Sequence, residues 1–182
     1  NASVANAQLG SIGGSGSAEG LASITVTATG GATATLTTGT VTADTTDSTT
    51  DLAMTLTATA AESSTVALGT IDNTYGSITG TLSGAGAVNA TALTADSMNL
   101  TWSSSGSSTL STVTTDALTL TNSGTGAHTI TTLTATGDVT ATHTGSGTLT
   151  IGTVTDGLTS LTIDASTATG AVTVTTNSNA SG

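Results

Sequence analysis

Aspartates recur after the second apolar stretch of a repeating segment, at Asp44, Asp72, Asp96, Asp116, Asp138 and Asp156. If the repeats stack, neighbouring carboxylates come within several ångströms, where like charges repel by about 1 kcal/mol even in water. A hard cation bridging carboxylates and turn carbonyls would relieve that repulsion, and calcium has the matching preference for oxygen ligands. These aspartates are therefore the candidate metal ligands, with calcium the candidate cofactor. The competing reading makes them ordinary turn residues fanned into solvent.

The rest of the chemical inventory is sparse. The chain has no Lys, Arg or Cys, so no cation can stabilise a developing oxyanion or phosphate and no thiolate can act as nucleophile or ligand. Its histidines, His128 and His143, fall at different points of the repeat, one ending a turn and one ending a strand. They are expected at the surface and not stacked on each other. Many serines are present, but nothing in the pattern selects one for a Ser-His-Asp arrangement, and no phosphate-binding loop precedes a helix. The chain is not expected to be an enzyme. Trp102, the single tryptophan, stands at a strand end and is expected to pack on a corner.

Threonine offers the other regular array. One outward column reads Thr25/Thr27, Thr55/Thr57, Thr79/Thr81, Asn99/Thr101, Thr119/Thr121, Thr140/Thr142 and Ser160/Thr162. A flat Thr-x-Thr surface of this kind is what ice-binding solenoids present. Threonine also simply suits an exposed strand.

These residues are carried by a repeat of twenty to twenty-two residues that is clearest from Met98 to Asn177. Apolar pairs recur at Met98/Leu100, Leu118/Leu120, Val139/Ala141 and Leu161/Ile163, and a second set at Leu110/Val113, Ile130/Leu133, Ile151/Val154 and Val172/Val174. Upstream, Ile24/Val26 are followed by Met54/Leu56 after thirty residues. Alternation of apolar and hydroxyl residues has the period of a half-buried strand, and a change of parity such as that between Ile130 and Leu133 marks a bend. A repeat of this length means a solenoid, whose units bury their apolar side only by stacking. The predicted fold is all-β: a β-solenoid of about seven coils over residues 21–182, on the order of 35 Å long at the spacing of paired strands. An acidic corner loop would leave the stack at 43–51, and residues 1–20, rich in Gly, Ser and Ala and without period, read as a flexible linker.

The formal charge of −11 and pI near 4.1 argue against nucleic acid and anionic lipid as partners. No apolar run reaches the roughly eighteen residues of a membrane span. No signal peptide is visible, which suits a processed protein or a segment of a longer chain with neighbouring domains.

The segment from Gly157 to Gly182 contains Ile163, Asp164, Ala165, Ser166, Thr169, Gly170, Val172, Thr173 and Val174 in the order IDAS…TG.VTV. It resembles a motif of bacterial surface-layer and type I-secreted RTX proteins, whose Thr/Ala/Gly/Ser-rich β-repeats and lack of Cys are also similar to this composition. The calcium-binding nonapeptide GGxGxDxx of such proteins is absent here. The resemblance implies a structural, extracellular protein of the bacterial cell surface, an S-layer, fibre or adhesin-stalk segment that assembles with itself and uses calcium for order. The alternative expectation is an ice-binding or adhesin module working through the Thr-x-Thr face.

Overall fold

The structure is a computed structural model that describes residues 7–10, 21–28, 35–42, 52–155 and 157–177. The acidic loop expected at 43–51, with Asp44, and also Asp156, lie outside the described residues. The regular elements are all strands: β1 (Ala7–Leu9), β2 (Ser23–Ala28), β3 (Thr35–Thr38), β4 (Val41–Thr42), β5 (Ala53–Ala60), β6 (Thr65–Gly84), β7 (Ala87–Trp102), β8 (Ser108–Thr115), β9 (Ala117–Asn122), β10 (His128–Ala135), β11 (Asp138–His143), β12 (Leu149–Thr155), β13 (Ser160–Asp164) and β14 (Val172–Asn177). No helix forms among the described residues, as expected where Thr and Gly dominate and no 3.6-residue period exists.

Every pairing among the described residues is parallel, and the chain winds as a β-solenoid of about six turns, close to the seven coils expected. Three walls can be followed up the stack. The first is built from β2, β5, the latter parts of β6 and β7, then β9, β11 and β13. The second stacks β3, the early parts of β6 and β7, β8, β10, β12 and β14. The third is the continuation of that wall past a bend, as where Leu110 and Val113 both point inward with exposed Ser111 and half-buried Thr112 between them. The same parity change recurs at Ile130/Leu133 and Ile151/Val154. The corners inferred from the sequence are these bends.

The interior is a set of vertical aliphatic columns. Ile78, Met98, Leu118 and Val139 stack on the first wall, and Leu93, Val113, Leu133 and Val154 on the third, all buried. Each such side chain contributes roughly 1.5–3 kcal/mol by leaving water. The parallel ladders satisfy backbone groups rung by rung, so a chain with almost no aromatic mass closes a dry core.

Register differs from expectation at both ends of the stack. Ile24 pairs with Leu56 instead of Met54, and Val172/Val174 pair with Leu149/Ile151 instead of Ile151/Val154. Both errors are slips of about one side-chain repeat along the strand, which leave the inward face inward and so are invisible to an apolar pattern. Within the segment read as a linker, Ala7–Leu9 pairs with Leu36–Thr38.

Candidate functional site

The outward columns of the first wall are nearly those expected. Thr55, Thr79, Asn99, Thr119, Thr140 and Thr162 stand above one another, beside a second column of Thr25, Thr57, Thr81, Thr101, Thr121 and Thr142. The end rungs are offset from the sequence reading. Ser23/Thr25 take the places expected for Thr25/Thr27, and Thr162/Asp164 those expected for Ser160/Thr162. The columns hold seven rungs because each strand is pinned by its inward neighbours.

The aspartates do not share one column. Asp72 pairs with Thr94, whereas Asp138 lies in register with Ser160 and follows Ala117. Asp96 and Asp116 do stack, the Asp116 N–H donating to the Asp96 carbonyl at 2.9 Å. The next turn places Thr136 and Gly137 there instead: Thr136 Oγ1 donates to Asp116 Oδ1 at 2.6 Å, and Gly137 N–H to the Asp116 carbonyl at 2.7 Å. Other carboxylates are engaged by local donors, Asp72 by Thr74 Oγ1 at 2.6 Å and Asp138 by Ser160 Oγ at 2.7 Å. Small differences in coil length move Asp72 and Asp138 by a residue or two around the corner relative to Asp96 and Asp116, which breaks the column. Among the described residues no three His, Cys, Asp or Glu side chains converge on a point that could hold a metal. A hard cation, which takes about six to eight oxygens, would therefore need further ligands beyond any such group among the described residues.

The histidines correct the sequence reading outright: both are buried, not surface residues. They belong to a polar cluster inside the turns that join the first wall to the second. Asn122 sits in the stack between Trp102 and His143, while His128 lies between Ser108 and Leu149. The Trp102 and His128 rings stack with centroids 4.6 Å apart and planes 8° from parallel. Trp102 is thus packed at a corner, as anticipated, but fully buried.

Hydrogen bonding in the cluster runs one way. Gly124 N–H donates to Asn122 Oδ1 at 3.1 Å, which identifies that atom as the oxygen, so His128 Nδ1–H must donate to it at 2.8 Å. His128 Nε2 is then the acceptor for Ser104 Oγ–H at 2.9 Å. Ser104 in turn lies 3.3 Å from Ser108 Oγ, which accepts the Val88 N–H at 2.9 Å. In His143, Nδ1 faces the Asn122 carbonyl at 3.2 Å and Nε2 the Gly147 carbonyl at 3.0 Å. Burial lowers the His128 pKa below 6.5; the carbonyls of Gly106 and Ser104 oppose this, and His143 adds to it. Two buried donors, Trp102 Nε1 and Asn122 Nδ2, have no hydrogen-bond partner.

Ser104, His128 and Asn122 thus stand in the order nucleophile, base, orienting group. All three are buried at 0% exposure, so the serine oxygen is sealed against a substrate. The geometry serves the corner: it pairs Asn122 Oδ1, both His128 nitrogens and the Ser104 and Ser108 hydroxyls that the tight turn forces inside. Gly124 belongs to it, since a Cβ there would overlap His128 Cε1 and the Ser104 carbonyl oxygen. Sequence reading missed this cluster because Asn122 and Ser104 look like any other turn residues. The available signal was that Trp102, Asn122 and His143 occupy one inward position on successive coils.

No protein-family model, no curated protein and no solved structure matches the chain.

Proposed function

We propose that this chain is a structural element of an extracellular bacterial surface, an S-layer, fibre or adhesin-stalk segment that assembles with copies of itself. The observation carrying this reading is the parallel stack, whose last rungs among the described residues are paired on one side only. Among the described residues β13 pairs only with β11 and β14 only with β12, and Leu161, Ile163, Val172 and Val174 there are only partly buried. A paired-strand edge with half-covered apolar groups accepts another rung, from a neighbouring copy or an adjoining domain. A non-catalytic role agrees with the sealed Ser104. The absence of Lys and Arg leaves trypsin no cleavage site, which suits an exposed extracellular position.

Calcium enters this reading as an ion shared between copies. Asp96 and Asp116 supply two stacked carboxylates, and the remaining oxygens would come from a second molecule or from water. The test is a thermal melt with excess calcium and again with chelator, each sample then imaged by negative-stain microscopy. A calcium-dependent rise in melting temperature with ordered sheets or filaments is expected. Monodisperse single molecules at millimolar calcium would remove the reading.

A second reading, an ice-binding module, is favoured by the seven-rung register of the Thr-x-Thr columns. It requires thermal hysteresis that is lost in Thr121→Leu and Thr142→Leu, and absence of hysteresis in the parent chain dismisses it.

A further inference from the structure

Between β6 and β7 the coil departs from its own repeat. The two strands pair residue for residue to Asn73↔Ala95 and resume at Ser77↔Ser97, so Thr74, Tyr75 and Gly76 stand opposite the single residue Asp96. This bulge is braced. Buried Asn73 donates through Nδ2 to the carbonyls of Leu52 at 2.9 Å and Ser77 at 3.0 Å, and Thr74 Oγ1 donates to Asp72 Oδ1. Gly76 is buried, and a Cβ there would overlap the Leu52 carbonyl oxygen. What the bulge presents is Tyr75, at 38% exposure the one large hydrophobic side chain on the surface among the described residues. Bulges held in this way aim a side chain.

Tyr75 heads a groove of about 290 Å³ that continues over successive rungs past Thr94 and Asp96, Thr114 and Asp116, to Thr134. Its lining combines one aromatic face, a column of alcohols that both donate and accept, and carboxylates that only accept. The Thr94, Thr114 and Thr134 positions repeat at the rung spacing of about 4.8 Å, close to the length of one sugar ring in a chain. We propose that this groove binds an uncharged glycan lying along the solenoid axis. One pyranose ring rests its C–H face on Tyr75, and its neighbours hydrogen-bond to the threonine hydroxyls and to Asp96 and Asp116. An anionic polymer is repelled by those carboxylates and by the net charge of −11. A cation would rely on exposed carboxylates that solvent and salt screen, and would leave the Thr94 and Thr114 hydroxyl protons unused, whereas Thr134 already bonds Thr155 and Thr136 already donates to Asp116.

The proposal is independent of assembly and of calcium, so its test uses the full chain as single molecules in the presence of chelator. Isotope-labelled protein is titrated separately with cellohexaose, maltohexaose and chitohexaose while amide resonances are followed. At least one of these is expected to shift the signals of Tyr75, Asp96 and Asp116 saturably. Tyr75→Ala, with an unchanged circular dichroism spectrum, is expected to weaken that binding by about tenfold, the scale of a lost stacked ring. The proposal is overturned if none of the sugars shifts these signals at millimolar concentration, if Tyr75→Ala binds equally well, or if only a cationic probe such as spermidine shifts them.

Discussion

The two kinds of corner in this solenoid handle polar groups in opposite ways. Where the first wall turns into the second, Ser104, Ser108, Asn122, His128 and His143 point inward and are buried. Where the third wall returns to the first, Asp96, Asp116 and Tyr75 point outward. The inner cluster is a chain of donors and acceptors running from Asn122 through His128 to Ser104 and stacked on an aromatic ring, and it fixes how successive turns sit on each other. The outer corner is held by backbone ladders and a few local hydroxyl bonds, such as that from Thr136 Oγ1 to Asp116 Oδ1, and its side chains face solvent. A repeat protein can in this way give one edge to register and leave another to recognition.

The sharpest way to break this contrast is to remove the inner ring. Trp102→Ala should cost about 3–5 kcal/mol in urea unfolding, the usual loss for a buried aromatic, whereas Tyr75→Ala should stay within about 0.5 kcal/mol. Equal costs would mean that the two corners do not differ in kind. Next in size is Asn122→Leu, which leaves the Gly124 N–H and the His128 Nδ1–H without their acceptor. A loss of about 2–4 kcal/mol is expected, and a neutral result would show that the network contributes nothing beyond packing.

A smaller effect comes with acid. Burial depresses the His128 pKa, so as pH falls the unfolded chain takes up the proton first. The stability belonging to the neutral ring is complete above pH 6.5 and declines below it, until the folded form also becomes protonated. Melting temperature followed downward from neutral pH should show this decline, and His128→Gln should flatten it. A slope unchanged by that substitution would place the titration elsewhere. Asp164 acts in a lower window. The Ser166 backbone N–H, assisted by the Ser166 side chain, holds its carboxyl below the usual 3.8, so any contribution it makes disappears only as pH falls through that lowered value. The smallest change is expected from Asp96→Asn with Asp116→Asn, which should move stability in calcium-free buffer by no more than about 0.5 kcal/mol. A large loss would make the outer corner structural after all.

The sequence exposes the architecture because burial imposes a parity on every strand. Ile130 followed by Leu133 already contains the bend, and Val139/Ala141 over Leu161/Ile163 already contains the pairing. Lateral slips at the two ends stayed hidden because a shift by two residues preserves that parity, as at Ile24. The aspartate column failed for a related reason. Its members were aligned by their place after an apolar residue, while backbone register, set by turn length, decides which side chains stack. The polar corner was hidden by composition. In a chain this rich in Ser and Thr, Asn122 and Ser104 carry no local mark, and a histidine among them reads as another exposed polar group.

The stacking of Trp102 on His128 makes the molecule optically self-reporting. As the chain has a single tryptophan, buried at 0% exposure, its emission comes from one corner of the solenoid and is set by an environment without water. An imidazolium is a far better quencher of indole than a neutral imidazole, and here the rings lie in van der Waals contact. Intensity therefore follows the charge on that ring, while the wavelength follows whether the turns remain closed. The two signals separate a proton entering the corner from the corner coming apart, without any label.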